Sequence, residues 1–250
     1  MTIDIGQASV IFPPVFGGEP GLRAAMSTKI GGVSGAQLGM NLSYRVGDRE
    51  TIVDENRARF LGRLGSTPDR LATAAQCHSA DVVRVNAPVQ HESCDSLITN
   101  RAGIMLAVTI ADCVPILIYD PVQRVVAAVH AGWRGTAAGI VRATILALQA
   151  AYGCRATNLL AYVGPGAGAC CYAVGTEVSE RFEPSAVEER SGVTYLDLKE
   201  ENKRQLMNEG VAQGRVFKSP ECTICNAERF HSYRRDGNRS GRMMAVIGLF

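Results

Sequence analysis

Apolar residues along this chain fall into short runs and into longer segments with helical spacing. The short runs are rich in valine and isoleucine, which predicts β-strands. The predicted strands are Leu22–Ser27, Val82–Val85, Met105–Thr109, Pro115–Tyr119, Val125–Val129, Leu159–Val163 and Met243–Leu249. Apolar residues three or four positions apart predict helices over Thr51–Leu64, Gly135–Tyr152 and Asp197–Met207.

The order of these elements predicts the fold class. Strands and helices do not alternate strictly, which favours an α+β fold: mixed β-sheets in a sandwich flanked by helices. Two glycine-rich segments, Gly31–Gly39 and Gly164–Gly168, are predicted to be loops. No repeat or linker interrupts the chain, so we expect residues 1–250 to form a single domain.

Composition and charge exclude several classes of protein. The chain has 250 residues, 46% of them hydrophobic, and its Lys+Arg total of 26 nearly balances its Asp+Glu total of 24. We therefore expect neither nucleic acid nor a membrane as a partner. The N-terminus has no signal-peptide pattern, which predicts a cytoplasmic protein with mostly reduced cysteines.

Three segments place a potential metal ligand beside a predicted strand. They are AAQCHSADVV, TIADCVP and AAVHAGWRG, and they contain His78, Cys113 and His130. Two imidazoles and one thiolate suit zinc with an open fourth position, which is typical of catalytic zinc. Spacing alone does not connect these residues, and a buried cysteine with two hydrogen-bonded histidines is the alternative.

Two further cysteine pairs stand apart from these segments. Cys170 and Cys171 precede Tyr172, where they either line a pocket or pack as thiols. Cys222-x-x-Cys225 offers two of the four ligands of a structural zinc site, but its only near partner along the chain is His231. The pair by itself therefore does not predict such a site.

Five longer motifs together resemble one known family. HAGWRGTAAGIV, TIADCVPILI, VGPGAGACCYAVG, NLSYRVGD…ENRARFL and CTICNAERFHSYRRDG…SGRMMAVIG are similar to the laccase-domain family. Its members are also described as multicopper polyphenol oxidase-like proteins and as purine nucleoside phosphorylases. The resemblance extends from about Met26 to the C-terminus.

The resemblance implies a metal site and an activity. The matching motif positions make His78, Cys113 and His130 both the zinc ligands and the catalytic residues. The implied reaction converts adenosine, inosine, guanosine or methylthioadenosine and phosphate into a free base and ribose 1-phosphate, with adenosine deaminase activity besides. The enzyme would thus be both a transferase and a hydrolase, and its partners would be purine nucleosides and phosphate.

Phosphorolysis requires cations or polar groups that hold phosphate opposite the base. The candidate substrate- and phosphate-binding residues are Lys29, Asn41, Arg134, Arg234, Arg235 and Arg242. Asn41 is equally suited to capping a turn, and the arginines near the C-terminus are equally suited to a solvated turn. Two positions depart from the family pattern: Lys29 stands where relatives usually carry arginine, and Ala173 where they commonly carry glutamate.

The multicopper name does not suit this chain. A trinuclear copper cluster needs several His-x-His pairs, whereas the chain has four histidines and no such pair. One copper ion on a His₂Cys set remains compatible with a weak polyphenol oxidase side activity. Two other hypotheses stay open: an amide or ester hydrolase with Cys113 as nucleophile and His130 as base, and a binding protein whose structural zinc takes Cys77 or Cys171 as fourth ligand.

Overall fold

A computed structural model describes residues 8–250 of the chain. The strands are β1 (Val10–Ile11), β2 (Leu22–Ser27), β3 (Leu71–Ala74), β4 (Val82–Arg84), β5 (Gln90–His91), β6 (Ser96–Thr99), β7 (Met105–Ile110), β8 (Val114–Asp120), β9 (Val125–Ala131), β10 (Leu160–Val163), β11 (Val187–Arg190), β12 (Val193–Leu196), β13 (Val216–Lys218) and β14 (Met243–Leu249). The helices are α1 (Glu50–Gly62), α2 (Trp133–Ala137), α3 (Ile140–Tyr152), α4 (Thr176–Ser179), α5 (Leu198–Asn208) and α6 (Tyr233–Asp236).

Two six-stranded mixed sheets form the core of the fold. The first has the strand order β1-β2-β14-β7-β3-β5, and the second has the order β13-β10-β8-β9-β6-β4. A separate hairpin pairs β11 with β12. The prediction of an α+β fold with mixed β-sheets is confirmed, and the number of large sheets is two.

The central strands present apolar side chains to both faces of their sheets. In β14, Met243, Ala245 and Ile247 face the core between the sheets, whereas Met244 and Val246 face the other way. Successive side chains of a strand point to opposite faces. Because both faces of β7, β8, β9 and β14 meet apolar neighbours, these strands appear in the sequence as continuous apolar runs.

Helices cover the outer faces of the two sheets. On the outer face of the first sheet, Phe60 and Leu61 of α1 share a core with residues of β2, β7 and β14. On the outer face of the second sheet, the buried residues of α3 and α5 share a core with β8, β9 and β10. The layers therefore run helix, sheet, sheet, helix. Among residues 8–250, no helix combines the length and the apolar character needed to cross a bilayer.

The helix predicted over Gly135–Tyr152 is wrong in its continuity. The structure has two helices, α2 and α3, separated at Gly139. Gly139 has a φ of +78°, in the left-handed region, so the helix cannot continue through it. The remaining predicted helices and strands are present, and none of their ends is shifted by more than two residues.

Candidate active site

His78, Cys113 and His130 converge at one end of the space between the two sheets. The antiparallel pairing of β8 and β9 places Pro115 opposite His130, which brings Cys113, two residues before Pro115, to the same end. His78 comes from the loop between β3 and β4. The ligand atoms of the three residues all lie within 4.8 Å of one another, with Cys113 Sγ 3.9 Å from His78 Nε2.

Asp95 holds two of these ligands in place. This fully buried residue precedes β6, and its Oδ1 accepts a hydrogen bond from His130 Nδ1 at 2.7 Å. The same carboxylate accepts the backbone N–H groups of Cys77, His78 and Ser79, at 3.1, 3.0 and 2.7 Å. The Asp95 carboxylate therefore fixes the orientation of the His130 ring. It also holds the loop that carries His78, a residue whose backbone φ is +63°.

The bond to Asp95 also selects the His130 nitrogen that is available to a ligand. Because the ionised carboxylate accepts the hydrogen bond from Nδ1–H, Nε2 is the nitrogen that remains available as a ligand atom. A carboxylate behind a metal-binding histidine is a common arrangement in metal sites. Sequence reasoning missed Asp95. The only signal for it was an acidic residue directly before an apolar strand, and this does not distinguish it from a surface residue.

Electrostatics within the cluster favour a thiolate at Cys113. Burial by itself raises the pKa of this thiol, but the charge of His130 and hydrogen bonds to both histidines outweigh burial and lower the pKa to about 6. Burial opposes protonation of His130, yet the Cys113 thiolate and the Asp95 carboxylate raise its pKa to about 9. The pKa of Asp95 is held far below its usual range, against its burial, by the bonds from His130 and Ser79.

Asp112, next to Cys113 in the chain, points away from this cluster. Its carboxylate accepts hydrogen bonds from Thr223 Oγ1 at 2.6 Å, Ser232 Oγ at 3.0 Å and the backbone N–H of Arg234 at 2.7 Å. Its φ of +89° turns the backbone at this point. Asp112 thus ties the Cys113 segment to two distant loops and presents no carboxylate to the cluster.

Close approach of the backbone to the cluster requires glycine at position 132. A Cβ atom added to Gly132 would lie 2.9 Å from His78 Cδ2 and 3.0 Å from Cys113 Sγ. Carbon atoms do not pack at these distances without displacement of their neighbours. The glycine of the HAGW motif therefore allows the turn between β9 and α2 to pass directly beside two of the three ligand side chains.

A cleft of about 760 Å³ opens over the three residues. Its lining includes four arginines: Arg45, Arg57, Arg134 and Arg242. Arg134 and Arg242 belong to the predicted phosphate-binding set, whereas sequence reasoning missed Arg45 and Arg57. Both arginines lie within the NLSYRVGD…ENRARFL motif, but the residues next to them in the sequence do not indicate an anion site.

Two of the cleft arginines are held by backbone carbonyls. Arg242 donates from Nη1 to Ser240 O at 2.8 Å and to Gly241 O at 3.0 Å. Arg57 donates from Nε to Leu42 O at 3.0 Å, and its guanidinium lies over the ring of Tyr44. Burial lowers the pKa of both arginines, but an arginine remains charged at neutral pH. The cleft therefore carries positive charge in defined positions.

The other predicted binding residues lie outside the cleft lining. Arg235 is bonded to the backbone carbonyls of Thr223, Ile224 and Phe230 and to Asp236. Arg234 donates to Ala173 O at 2.9 Å and lies near the Tyr172 ring. The Lys29 side chain is not among the groups that line the cleft.

Asn41 has a supporting position. It is fully buried, and its Oδ1 accepts the backbone N–H groups of Ser43 and Arg242 at 3.2 and 3.0 Å. Its amide donates to Ser43 O at 2.9 Å. Asn41 therefore caps a turn, as one of the two interpretations of the sequence expected, and it connects the two segments that carry Ser43 and Arg242 to the cleft.

Neither of the two cysteines considered as a fourth ligand joins the group of three. Cys77 Sγ lies 3.4 Å from the Asp95 carboxylate, and Cys171 belongs to a separate cysteine cluster. Within residues 8–250, the other two histidines, His91 and His231, take part in no metal-ligand group. The arrangement is that of three residues that could hold a metal ion and that line a cleft.

Comparisons with known proteins place this geometry in context. The family model described as "Multi-copper polyphenol oxidoreductase laccase" matches residues 23–250. A protein of Deinococcus radiodurans named purine nucleoside phosphorylase is 40% identical over 244 residues, covering 93% of this chain and 94% of its own. The purine nucleoside phosphorylase YfiH of Escherichia coli is 35% identical and covers 96% and 99% of the two chains.

A solved structure has the same fold. The crystal structure of YlmD from Geobacillus stearothermophilus superposes with a TM-score of 0.87 at 35% identity, over 94% of this chain and 93% of that one. The likeness in fold therefore extends over nearly the whole chain.

Proposed function

The chain belongs to the multi-copper polyphenol oxidoreductase laccase family, and on that basis we propose that it is a metal-dependent purine nucleoside phosphorylase. One observation carries the proposal: His78, Cys113 and His130 converge at the base of a cleft whose lining includes four arginines. A site for a cation thus lies beside a site for an anion, in a cavity large enough for a nucleoside and phosphate.

The donor set of the site fits zinc. Two imidazoles and one thiol are typical zinc ligands, and three protein ligands leave a position open, as in catalytic sites. The hydrogen bond from His130 Nδ1 to Asp95 supplies the carboxylate support that such histidines normally have. Bound there, zinc would supply Lewis-acid polarisation of the substrate or of water. The multicopper interpretation lacks support, because His91 and His231 lie outside the ligand group.

Phosphate binding is assigned to the arginines of the cleft. Guanidinium groups match the oxygens of phosphate in bidentate geometry. The backbone carbonyls that hold Arg57 and Arg242 keep these groups in position before the substrate arrives. A phosphate oxygen forms a bond to C1′ of the ribose while the glycosidic C–N bond breaks, and the base leaves with the bonding electron pair and takes up a proton.

Two tyrosines at the cleft suit the purine. Tyr44 and Tyr233 line the cavity with 42% and 50% of their surfaces exposed. An exposed aromatic ring offers a stacking surface that accepts adenine, guanine or hypoxanthine without distinguishing among them. This favours a broad substrate range of adenosine, inosine, guanosine and methylthioadenosine.

Adenosine deaminase activity at the same site belongs to the proposal. Water replaces the amino group at C6 of adenine, and ammonia leaves. Asp112 is unsuited to carry the proton because its carboxylate is already bonded to Thr223, Ser232 and Arg234. The proton transfer of the deamination step is therefore assigned to groups that face the cleft and not to Asp112.

One observation favours a second candidate, a thiol hydrolase. Cys113, with its pKa lowered to about 6, His130 and Asp95 follow the order of nucleophile, base and orienting carboxylate. Such an enzyme would attack an amide or ester through the Cys113 thiolate. It would retain activity after chelation, whereas the phosphorylase would lose its activity.

The test is an inosine assay on protein of known metal content, with and without phosphate. We expect hypoxanthine release that requires phosphate and disappears in Cys113→Ala. We further expect Arg242→Met to raise the KM for phosphate by about tenfold or more, from the loss of one charge-assisted contact of about 1.5–3 kcal/mol. Arg239→Met, at an exposed arginine outside the cleft lining, is the matched control. Absence of phosphate-dependent release from zinc-loaded protein would refute the proposal.

A further inference from the structure

Two cysteine pairs that are distant in sequence meet beside Thr223, whose hydroxyl donates to the Asp112 carboxylate. Cys170 and Cys171 lie in the segment after β10, and Cys222 and Cys225 lie in the segment after β13. All four sulfur atoms lie within 4.8 Å of one another. Cys225 Sγ is 3.2 Å from Cys170 Sγ and 2.9 Å from Cys171 Sγ.

The sheet brings these two segments together. Strands β10 and β13 are parallel neighbours, so the chain leaves both strands at the same end of the sheet. Beyond this end the two segments stay paired, because Thr223 N donates to Gly166 O at 3.0 Å and Gly166 pairs with Cys222 in a parallel bridge. Backbone pairing therefore holds together the two segments that carry the cysteines.

The separations of the sulfur atoms suit a tetrahedral metal ion. Four thiolates at a Zn–S distance of about 2.3 Å place their sulfur atoms about 3.8 Å apart. The observed separations, from 2.9 Å up to the limit of 4.8 Å, lie on both sides of that value. All four cysteines are free thiols in the structure, so no disulfide accounts for their convergence.

One backbone donor approaches the sulfur of Cys222. Gly168 N donates to Cys222 Sγ at 3.2 Å. Cys222 is also the buried member of the group, which places it at the inner corner of the cluster.

We propose that Cys170, Cys171, Cys222 and Cys225 bind a structural zinc ion, with thiolates in all four coordination positions. Each cysteine gives up its thiol proton to solvent as the metal binds. A closed tetrathiolate site has no open position and therefore serves folding rather than chemistry. It differs in this respect from the three-ligand group at the cleft, and it does not depend on the proposed function.

The ion would stabilise one wall of the active site. It would join the segment that carries Tyr172 and Ala173 to the segment that carries Thr223. Thr223 Oγ1 donates to Asp112, which precedes Cys113, and Arg234 donates to Ala173 O. Loss of this ion is therefore expected to loosen the contacts that hold Asp112.

Metal content of the whole protein, expressed with zinc and purified under reducing conditions, tests the proposal. We expect about two zinc ions per wild-type chain and about one in Cys113→Ala, in which the cleft site loses a ligand. We expect about one in the double variant Cys170→Ser/Cys225→Ser as well, which replaces the two exposed members of the cluster. Cys154→Ser, at a buried cysteine outside both groups, is the control and should keep two.

A second measurement does not depend on the folding of the double variant. Cobalt added to metal-free Cys113→Ala should give the intense sulfur-to-cobalt charge-transfer and ligand-field bands of a tetrahedral tetrathiolate. Three results would each overturn the proposal: an unchanged zinc content in Cys170→Ser/Cys225→Ser, absence of the tetrathiolate spectrum in Cys113→Ala, or a disulfide among the four cysteines in the reduced preparation.

Discussion

Replacement of Asp95 by asparagine tests whether one buried carboxylate organises the candidate metal site. The side chain has no exposed surface, and its two oxygens accept hydrogen bonds from His130, from three successive backbone N–H groups and from the Ser79 hydroxyl. Asparagine has nearly the same shape, but it offers one accepting oxygen and turns the other position into a donor. The variant therefore changes hydrogen bonding with little change in volume.

The positions of the hydrogen-bond donors around the two Asp95 oxygens set the expected loss of stability in Asp95→Asn. Oδ1 accepts His130 Nδ1–H and His78 N–H, and Oδ2 accepts the N–H groups of Cys77 and Ser79. Whichever way the amide is oriented, two N–H donors face an NH₂ group. At about 1.5–3 kcal/mol for each bond to a charged acceptor, the expected loss of unfolding free energy is about 3–6 kcal/mol. The total stability of a domain is about 5–15 kcal/mol.

Two assays measure the consequences of Asp95→Asn. Denaturant unfolding of metal-free protein, followed by the fluorescence of Trp133, gives the stability, and competition with a chelator gives the zinc affinity. We expect zinc affinity to fall by about 10–100-fold, as it does when the support of a histidine ligand is removed. Asp81→Asn makes the same change of charge at an exposed position nearby and should leave both quantities near wild type. Wild-type stability and affinity in Asp95→Asn would refute the role assigned to this carboxylate.

Three further predictions concern the packing, protonation and metal dependence of the protein. Gly132→Ala should weaken zinc binding at least about tenfold, since the new Cβ meets His78 and Cys113 at 2.9 and 3.0 Å; Gly214→Ala, where a Cβ meets open space, is the control, and equal affinities would contradict the prediction. Burial and the nearby charge of Lys29 lower the pKa of His231 from 6.5 to about 4, so the unfolded state binds a proton more readily than the folded state. The free energy of unfolding therefore falls as the pH drops from about 6.5 towards about 4. Urea unfolding should show wild type losing about 2 kcal/mol more than His231→Gln between about pH 7 and pH 5, and parallel losses would count against it. Chelation should abolish phosphate-dependent base release and added zinc should restore it, whereas activity that survives verified metal removal would favour the thiol hydrolase.

Local patterns in the sequence were sufficient to predict most of the secondary structure. The predicted bounds of β2 and β14 agree with the structure at both ends. These strands are buried by their neighbours in the fold, and burial leaves an apolar run that can be recognised along the chain. The break at Gly139 was missed because the apolar spacing continues across it, while a single left-handed φ ends the helix.

The candidate site was only partly accessible to such reasoning. The residue types at His78, Cys113 and His130 suggested zinc, and the family resemblance grouped them, but their spacing did not. Their convergence depends on the register that pairs Pro115 with His130 and on a carboxylate that draws in the loop around His78. Neither the register nor this contact leaves a periodic signal in the sequence.

The sequence alone determined the fold class, the main central strands and the chemical types at the candidate metal site, because periodicity and residue type are local properties. The tertiary structure decided which residues meet. It placed Arg45 and Arg57 at the cleft, directed Asp112 away from it, and joined two cysteine pairs that are 51 or more residues apart, Cys170–Cys171 and Cys222–Cys225. Strand pairing and loop contacts produce these arrangements between distant segments, and side chains that look solvent-exposed in sequence become site residues only once the sheets have assembled.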